Sequence, residues 1–491
     1  MLVVPTCNRI TMLMRCVQSY SENCRRWDRT PSIVVADDSG DARTREDCRT
    51  RLAEFAHETG LCVRYFGREE KHRLVRRLAA KSGIERSVVE FGIFGGQLEG
   101  RAPTTGGNRN ATLLAAMDQL LLSVDDDTVC RTVRSPDARN VVGLAEEGDW
   151  YYRHYADRDS AVAAAPFVDL DLVGAHERLL GHPVRSLLIE EDGEDGAATA
   201  PGSSDTNHVG LTLSGAIGDH GSERAAGVLH LRGSARQRLL ESREHYQRAC
   251  RSRDAIKLVG RPIVVHPSRI PSAFHMAYNL GLDGRRLLPP FFPVGRNEEP
   301  LFATLLGVCR PGVRAGVVPV AILHDAEPRP YFAREDVWRT STGVRICELV
   351  HAVVQQWVVS HRARGVDQLA VLGTYLVELA SQRLEDYRAF IRDRVREVFD
   401  RKRLALESEL EETSLPDHWR EDACRQRDVL LEAATRSDFE VPRDLGFADA
   451  DAAHEKGRDM VRDFGRLLES WSMLSLTARG LLRDEQEGIV K

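Results

Sequence analysis

The stretch Leu120-Leu121-Leu122-Ser123-Val124-Asp125-Asp126-Asp127 decides the predicted fold of the first part of the chain. A short apolar run bounded by charged residues predicts a buried strand. In a parallel α/β sheet, ligands usually bind at the carboxyl ends of such strands. Three adjacent carboxylates repel one another unless a cation or donor groups hold them, and hard divalent cations prefer oxygen ligands. The stretch therefore predicts a site for a metal ion and a diphosphate. An acidic turn or a helix N-cap cluster is the alternative.

Strands and helices alternate on the N-terminal side of this stretch. Apolar strands are predicted over residues 2–5, 33–36 and 61–66, and apolar residues at helical spacing follow each of them. The segment Thr104-Thr105-Gly106-Gly107-Asn108-Arg109-Asn110 opens a further helix, which leads into the strand at Leu120. This alternation, with polar residues at the strand ends, predicts a doubly wound α/β domain.

The pattern is less regular between residues 131 and 334. Residues 162–173 are predicted to contain a strand, and residues 279–286 are predicted to form a turn. Residues 191–208 are rich in glycine, alanine, serine and acidic residues, which predicts a mobile loop. An apolar strand that ends at His324 closes this part of the chain.

From about residue 335 the pattern changes to helices. The apolar residues between Ile346 and Val358 repeat at the spacing of one helix face, and similar stripes recur up to Leu482. Such stripes predict either a hydrophobic core or an interface with a partner protein. A homodimer formed through these helices would be one such interface. We therefore predict an all-α C-terminal domain over residues 335–491. The domain before it, residues 1–334, divides into halves at about residue 130.

Composition excludes several classes of protein. The 491 residues suggest about two to four domains, and a hydrophobic content of 42% is enough for substantial cores. A formal net charge of −6 provides no general basic surface, so we expect no nucleic-acid partner. No uncharged apolar run reaches the roughly 18 residues that a membrane-spanning helix needs. The N-terminus lacks the pattern of a signal peptide, so we expect a cytoplasmic protein without a transmembrane segment.

Four segments, in this order, resemble the nucleotide-binding half of family-2 glycosyltransferases with the GT-A fold. They are VVPTCNR at 3–9, IVVADDSG at 33–40, GGNRNATLLA at 106–115 and LLSVDDD at 121–127. The resemblance covers about the first 130 residues. It implies a GT-A-type, Rossmann-like mixed sheet flanked by helices, and a nucleotide-diphospho-sugar donor, with UDP favoured.

Two departures from the family pattern have consequences. Cys7 stands where the family usually has a tyrosine, so we expect weaker stacking on the nucleotide base. The first strand also lacks its usual lead-in, so we expect the natural chain to begin earlier.

The resemblance assigns donor-binding roles by position. Residues 5–8 would line the base pocket, Asp38 would accept a hydrogen bond from the base, and Arg109 at a helix start would meet the diphosphate. The full predicted nucleotide-sugar-binding set is Pro5, Thr6, Cys7, Asn8, Arg9, Asp37, Asp38, Asn108, Arg109, Asp125 and Asp126. The predicted metal ligands, for Mn²⁺ or Mg²⁺, are Asp125, Asp127 and His324. The alternatives are an Asx-turn at Asp37-Asp38 and a structural role for His324.

Catalytic and acceptor-side residues are predicted in the second half. The segment Arg296-Asn297-Glu298-Glu299-Pro300 precedes an apolar helix. A paired carboxylate can act as a general base, and the resemblance gives that role to Glu299, with Glu298 beside it. The alternative is that both glutamates merely favour a helix N-terminus. The mobile loop is predicted to face the acceptor. The predicted acceptor-side residues are Gly218, Asp219, His220 and Arg296, with a hairpin turn as the alternative for the first three.

These features lead us to expect a metal-dependent glycosyltransferase that inverts configuration. It would move a sugar from a nucleotide sugar to a soluble acceptor such as a peptide, a protein or a secondary metabolite. Two alternatives stay open. One is a glycosyltransferase-like binding protein that has lost catalysis. The other is a sugar nucleotidyltransferase, which usually carries a glycine-rich, lysine-containing loop where this chain has TCNRI at 6–10.

Overall fold

A computed structural model describes most of the chain. The described residues are 1–96, 104–135, 138–144, 150–192, 207–222, 225–270, 277–333, 338, 342–361, 364–436, 438–447 and 449–489, of which 189–192 and 485–489 are described by their backbone alone. In these ranges the chain forms a mixed α/β structure followed by a helical C-terminal region.

Within the described ranges, twelve strands form one mixed sheet. They are β1 (Leu2–Thr6), β2 (Ile33–Asp37), β3 (Val63–Phe66), β4 (Leu120–Val124), β5 (Thr128–Val133), β6 (Gly143–Leu144), β7 (Trp150–His154), β8 (His208–Asp219), β9 (Asp254–Val259), β10 (Ile263–Val265), β11 (Asn279–Asp283) and β12 (Val313–His324). The central order is β3-β2-β1-β4-β11-β8-β12-β10-β6. The first four strands are parallel, and β11 runs antiparallel between β4 and β8. Because β12 is parallel to β8, the carboxyl ends of β1, β2, β4, β8 and β12 lie at the same edge.

Helices cover the sheet and form the C-terminal region. They are α1 (Ile10–Arg26), α2 (Ala42–Thr59), α3 (Arg68–Ser82), α4 (Arg86–Phe94), α5 (Thr105–Ala115), α6 (Arg158–Ala164), α7 (Leu172–Glu177), α8 (Val184–Asp192), α9 (Gly233–Leu239), α10 (Arg243–Ala249), α11 (Glu299–Cys309), α12 (Ile346–Ser360), α13 (Asp367–Ser381), α14 (Leu384–Leu410), α15 (Asp417–Thr435) and α16 (Ala450–Ile489). None of the helices in the described ranges is both long enough and apolar enough to cross a bilayer.

The N-terminal alternation of strands and helices is confirmed. Strands β1 and β2 are buried along their whole length, as short apolar runs in a parallel sheet must be. Helix α5 begins at the predicted segment and lies directly on the chain at Phe292. A Cβ atom on Gly106 would lie 1.9 Å from the carbonyl oxygen of Phe292, so only glycine permits this approach. This contact fixes the start of α5, and with it Arg109, against the segment that contains Phe292.

Two predictions for the second half are wrong. Residues 162–173 contain no strand: α6 ends at Ala164 and α7 begins at Leu172, and between them Phe167 forms only an isolated bridge with Val133. Asp171 caps α7 by accepting from the backbone N–H of Gly174. The predicted turn over residues 279–286 is mostly strand β11, which pairs with β4 and β8 on its two sides. Its Asn, Gly and Asp residues are typical of turns, but pairing on both sides overrides that local preference.

The region around β8 also differs from the alternatives considered. Residues 214–219 are not a hairpin turn but the second half of β8, which is buried throughout. Most of the predicted mobile loop over residues 191–208 lies outside the described residues. Residues 191 and 192 end α8, and His208 begins β8.

The helical C-terminal region packs against the sheet domain through a common core. The indole N–H of Trp471 in α16 donates to the carbonyl oxygen of Leu288 over 2.7 Å. The rings of Phe464 and Phe292 are 4.9 Å apart. One cluster of buried apolar residues extends from Val3 to Leu481, so the two regions share their largest core.

Candidate functional site

The candidate site lies where the carboxyl ends of β1, β2, β4, β8 and β12 meet. This edge carries polar residues directly after each strand, and the starts of α5 and α11 contribute further side chains to it. An edge of this kind is where ligands bind in open α/β sheets. The side chains at this edge form two groups, one around the acidic triplet and one around Asp38.

The three aspartates after β4 have different partners. Asp125 accepts from Nη2 of Arg109 over 3.0 Å. Asp126 accepts from the hydroxyl of Thr6 over 2.7 Å and lies 3.3 Å from Nη1 of Arg9. The same nitrogen of Arg9 lies 3.1 Å from Oδ2 of Asp127. Cationic and hydroxyl groups from two other segments, residues 6–9 and the first turns of α5, thus offset the repulsion within the triplet.

The protonation of the triplet reflects these partners. Burial, reinforced by the charge of Asp127, raises the pKa of Asp126 to about 6. Burial also raises the pKa of Asp125, although Arg109 opposes this shift. Asp127 is buried too, but His324 and Arg9 outweigh its desolvation and lower its pKa. Asp127 is therefore the member of the triplet that most strongly favours the charged form.

His324 lies beside Asp127 at the end of β12. Its Nδ1–H donates to the carbonyl oxygen of Asp219 over 2.5 Å, which leaves Nε2 facing the triplet. Nε2 lies 3.2 Å from Oδ1 of Asp127, and within the described chain that buried oxygen has no other hydrogen-bond partner. Burial disfavours the imidazolium, but the Asp127 carboxylate outweighs it and raises the pKa of His324. The ring of Tyr278 stacks on the imidazole at 5.5 Å.

This pair fits a divalent cation as two of its ligands. Histidine ligands of metals usually donate their second ring N–H to a carbonyl or carboxylate, as His324 does to Asp219. The buried oxygen of Asp127 would be the matching oxygen ligand. The third predicted ligand, Asp125, is turned to Arg109. Among the described residues, no three His, Cys, Asp or Glu side chains are grouped as a metal site.

The second group surrounds Asp38 at the end of β2. One carboxylate oxygen of Asp38 forms an ion pair with Lys71, and the other accepts from the hydroxyl of Thr104 over 3.1 Å. Lys71 is fully buried and also donates to the side-chain oxygen of Asn108 over 2.6 Å. Asn108 in turn donates to the carbonyl oxygen of Ala36 over 2.8 Å. Lys71 therefore connects two of the predicted donor-binding residues.

Sequence reasoning missed Lys71. The available signal was its residue type, since it is the first lysine in an arginine-rich chain and lies in the first turn of α3, two residues after Glu69. A buried ammonium group 33 residues from its partner cannot be recognised from local spacing, because the contact exists only once α3 has packed beside β2.

Other predicted donor-binding residues have local roles. Asp37 accepts from the backbone N–H of Ser39 over 2.8 Å, the bond of an Asx-turn, and from the hydroxyl of Tyr65 over 2.8 Å. Asn8 has a left-handed backbone (φ 57°), and its N–H donates to the hydroxyl of Ser39 over 2.8 Å. Cys7 is exposed beside these turns, and Pro5 is buried within β1.

The two glutamates at the start of α11 lie in different environments. Glu298 is buried, and its Oε1 lies 3.9 Å from Nε of Arg109, so that this guanidinium lies between Glu298 and Asp125. Burial, reinforced by the charge of Glu299, raises the pKa of Glu298. Glu299 is only partly buried and is the first residue of the helix. The acidic pair is thus connected to the triplet through Arg109.

The predicted acceptor-side residues are mostly engaged within the protein. Asp219 is buried and paired with Arg329, whose Nε lies 3.0 Å from Oδ2. Nε2 of His220 lies 3.2 Å from the carbonyl oxygen of Ser252. Gly218 has a φ of 98°, and a Cβ atom there would lie 2.6 Å from the carbonyl oxygen of His324. Of the four predicted residues, only Arg296 is exposed, while Asp219 contributes to the site by orienting His324.

No family model, no curated protein and no solved structure matches this chain. The geometry of this strand edge is therefore the basis for a proposed function.

Proposed function

We propose that this chain is a glycosyltransferase that uses a nucleotide-diphospho-sugar donor and a divalent cation. The observation that carries the proposal is the pairing of Asp127 with His324, next to the Asp125–Arg109–Glu298 group, in which Arg109 and Glu298 are buried. A carboxylate and an imidazole are suitable ligands for a divalent cation. An arginine flanked by two acids suits a site where the guanidinium binds a diphosphate and a carboxylate accepts a proton. GT-A is the fold proposed for the sheet.

The donor would extend along the edge from β2 to β4. Asp38, held by Lys71 and Thr104, would meet the nucleotide base, with UDP as the favoured nucleotide. The diphosphate would lie near the acidic triplet, where Arg9 and Arg109 supply positive charge. Arg109 also lies in the first turns of α5, where the helix dipole favours an anion.

Asp127 and His324 would hold Mn²⁺ or Mg²⁺. A cation bound there would stabilise the negative charge that develops on the departing diphosphate. Glu299, the more exposed of the two glutamates, would take the proton from the acceptor hydroxyl or thiol. Glu298 would keep Arg109 in place from its other side. With one base and no enzyme nucleophile assigned, we propose inversion at the anomeric carbon.

Donor binding and turnover by the purified protein test the proposal. With Mn²⁺ present, we expect one member of a panel of UDP-, GDP- and dTDP-sugars to raise the melting temperature and to be hydrolysed slowly. Asp127→Ala and His324→Ala should lose the part of the stabilisation that depends on Mn²⁺. Stabilisation without hydrolysis or transfer to any acceptor would support a binding protein instead. If no nucleotide sugar has either effect, the proposal is wrong.

A further inference from the structure

The guanidinium of Arg9 lies at the acidic triplet, where the proposed function places a divalent cation. Its Nη1 alone spans two carboxylates, at 3.3 Å from Asp126 Oδ1 and 3.1 Å from Asp127 Oδ2. The contact is not the two-nitrogen fork by which arginine binds one carboxylate most strongly. The other oxygen of Asp127 faces His324. Arg9 therefore neutralises the same carboxylate that the proposed function assigns to a divalent cation.

The other two cationic groups beside the acidic triplet, Arg109 and His324, are held more firmly. The side chain of Arg109 is 5% exposed, and its guanidinium lies over the ring of Phe291 at 5.6 Å. His324 is buried and fixed by its bond to the Asp219 carbonyl. By contrast, the side chain of Arg9 is 38% exposed. Of these three groups, Arg9 is the one that can move away from the triplet without disturbing buried packing.

We propose that Arg9 is a resident counter-ion of the acidic triplet, which a divalent cation displaces and which then pairs with the diphosphate of the donor. This inference rests on the proposed function. A divalent cation bound to Asp127 would repel the guanidinium of Arg9, which lies 3.1 Å from the same carboxylate, so binding of the cation favours release of Arg9. A displaced guanidinium needs a new anionic partner, and the diphosphate supplies one. Binding of the cation and binding of the nucleotide therefore favour each other.

This linkage has a measurable form. Because coupling between two ligands is reciprocal, UDP should raise the affinity for Mn²⁺ by the same factor by which Mn²⁺ raises the affinity for UDP. Part of that factor comes from direct contact between the cation and the diphosphate, which is independent of Arg9. Removing the charge at residue 9 should abolish only the remaining part.

Calorimetric titration of Mn²⁺ into wild type, Arg9→Gln and Arg9→Lys, with and without UDP, separates these parts. In the absence of UDP, we expect Arg9→Gln to bind Mn²⁺ at least about fivefold more tightly than wild type, because its competitor is gone. The gain in Mn²⁺ affinity on adding UDP should be smaller by a similar factor. Arg9→Lys keeps a cation at this position and should behave more like wild type, which separates a charge effect from a change in the helix start.

Arg15→Gln is the matched control. Arg15 lies in α1, the helix that begins directly after Arg9, and pairs with Asp325 over 2.5 Å. Asp325 is one residue after His324, so removal of Arg15 also takes one arginine from this edge. We expect its Mn²⁺ affinity to stay at the wild-type value. If wild type binds Mn²⁺ and Arg9→Gln binds it with the same affinity, the inference about Arg9 is wrong, while the proposed function is not affected. If none of the proteins binds Mn²⁺, with or without UDP, both fall.

Discussion

Two adjacent glutamates at the start of α11 are expected to differ in function. Glu299→Gln should keep donor-dependent thermal stabilisation but lower transfer by about 10²–10⁴-fold, because an amide cannot accept the acceptor's proton. Glu298→Gln removes one acid from Arg109 and should weaken donor binding as well, since Arg109 is proposed to meet the diphosphate. Melting temperatures with and without donor, alongside turnover, distinguish the two. Wild-type turnover by Glu299→Gln would exclude it as the base.

A second residue-scale prediction concerns Lys257 in β9. Burial lowers the pKa of its ammonium group to about 7, although Asp219 acts in the opposite direction. Between pH 7 and the ordinary lysine pKa, the unfolded chain therefore holds more protons than the folded one. The free energy of unfolding rises with pH over this window, by at most about 1.4 kcal/mol per pH unit from this residue.

Lys257→Met removes this contribution. We expect its free energy of unfolding, measured in urea, to rise less between pH 7 and pH 9.5 than that of wild type. Comparison of the two proteins cancels the other groups that titrate in this range. Parallel pH profiles for the two proteins would show that Lys257 does not change its protonation in the folded state.

At the scale of single residues, the sequence predicts which side chains follow the strands, but it does not predict which side chains they contact. Asp38, Asp125 and Asp127 could be identified because each ends an apolar run. The contacts of Asp38 with Lys71 and of Asp125 with Arg109 depend on how α3 and α5 pack. The same holds for Glu298, whose burial beside Arg109 cannot be derived from its position before an apolar helix.

Helix α5 is the element on which the site depends most. Gly106, in its first turn, approaches the carbonyl oxygen of Phe292 so closely that a methyl group must move the helix or the opposing chain. Gly106→Ala should therefore destabilise the protein by about 1–3 kcal/mol and weaken donor binding by displacing Arg109. Gly40→Ala is the control, since a Cβ atom there has no neighbour within 4 Å. Equal stability of the two variants, measured by chemical denaturation, would contradict this account.

Strands and helices could be predicted from the sequence where the local conformational preference of the residues agrees with their tertiary packing. Strands β1, β2 and β4 are short apolar runs in central positions of a parallel sheet, so their residue types suffice. Strand β11 has turn-forming residues, yet it is central because β4 and β8 bind it from both sides. The prediction of a strand within 162–173 is wrong for a different reason: the apolar residues between α6 and α7 have no strand to pair with beyond one bridge, from Phe167 to Val133.

At the scale of the whole molecule, the change of composition near residue 335 does not coincide with the boundary of a core. The helices after that point bury Phe464 and Trp471 against Phe292 and Leu288, which lie just before α11. A further contact joins Leu467 to α4, where a Cβ atom on Gly92 would lie 2.8 Å from Leu467. The helical region thus covers apolar residues of the sheet domain, next to the segment that contacts α5 and precedes α11.

The last prediction follows from this shared core. A fragment of residues 1–334 leaves Phe292 and its neighbours without cover, so we expect it to aggregate or to bind a hydrophobic dye, and not to respond to UDP with Mn²⁺. In the full chain, Phe464→Ala should cost about 3–5 kcal/mol and lower the unfolding midpoint of both regions together. Val359→Ala, at a side chain on α12 that is 81% exposed, should leave that midpoint nearly unchanged. A monomeric, cooperatively folded 1–334 fragment that binds UDP would show instead that the helices are dispensable for the site, because their packing would then add stability without shaping α5 or α11.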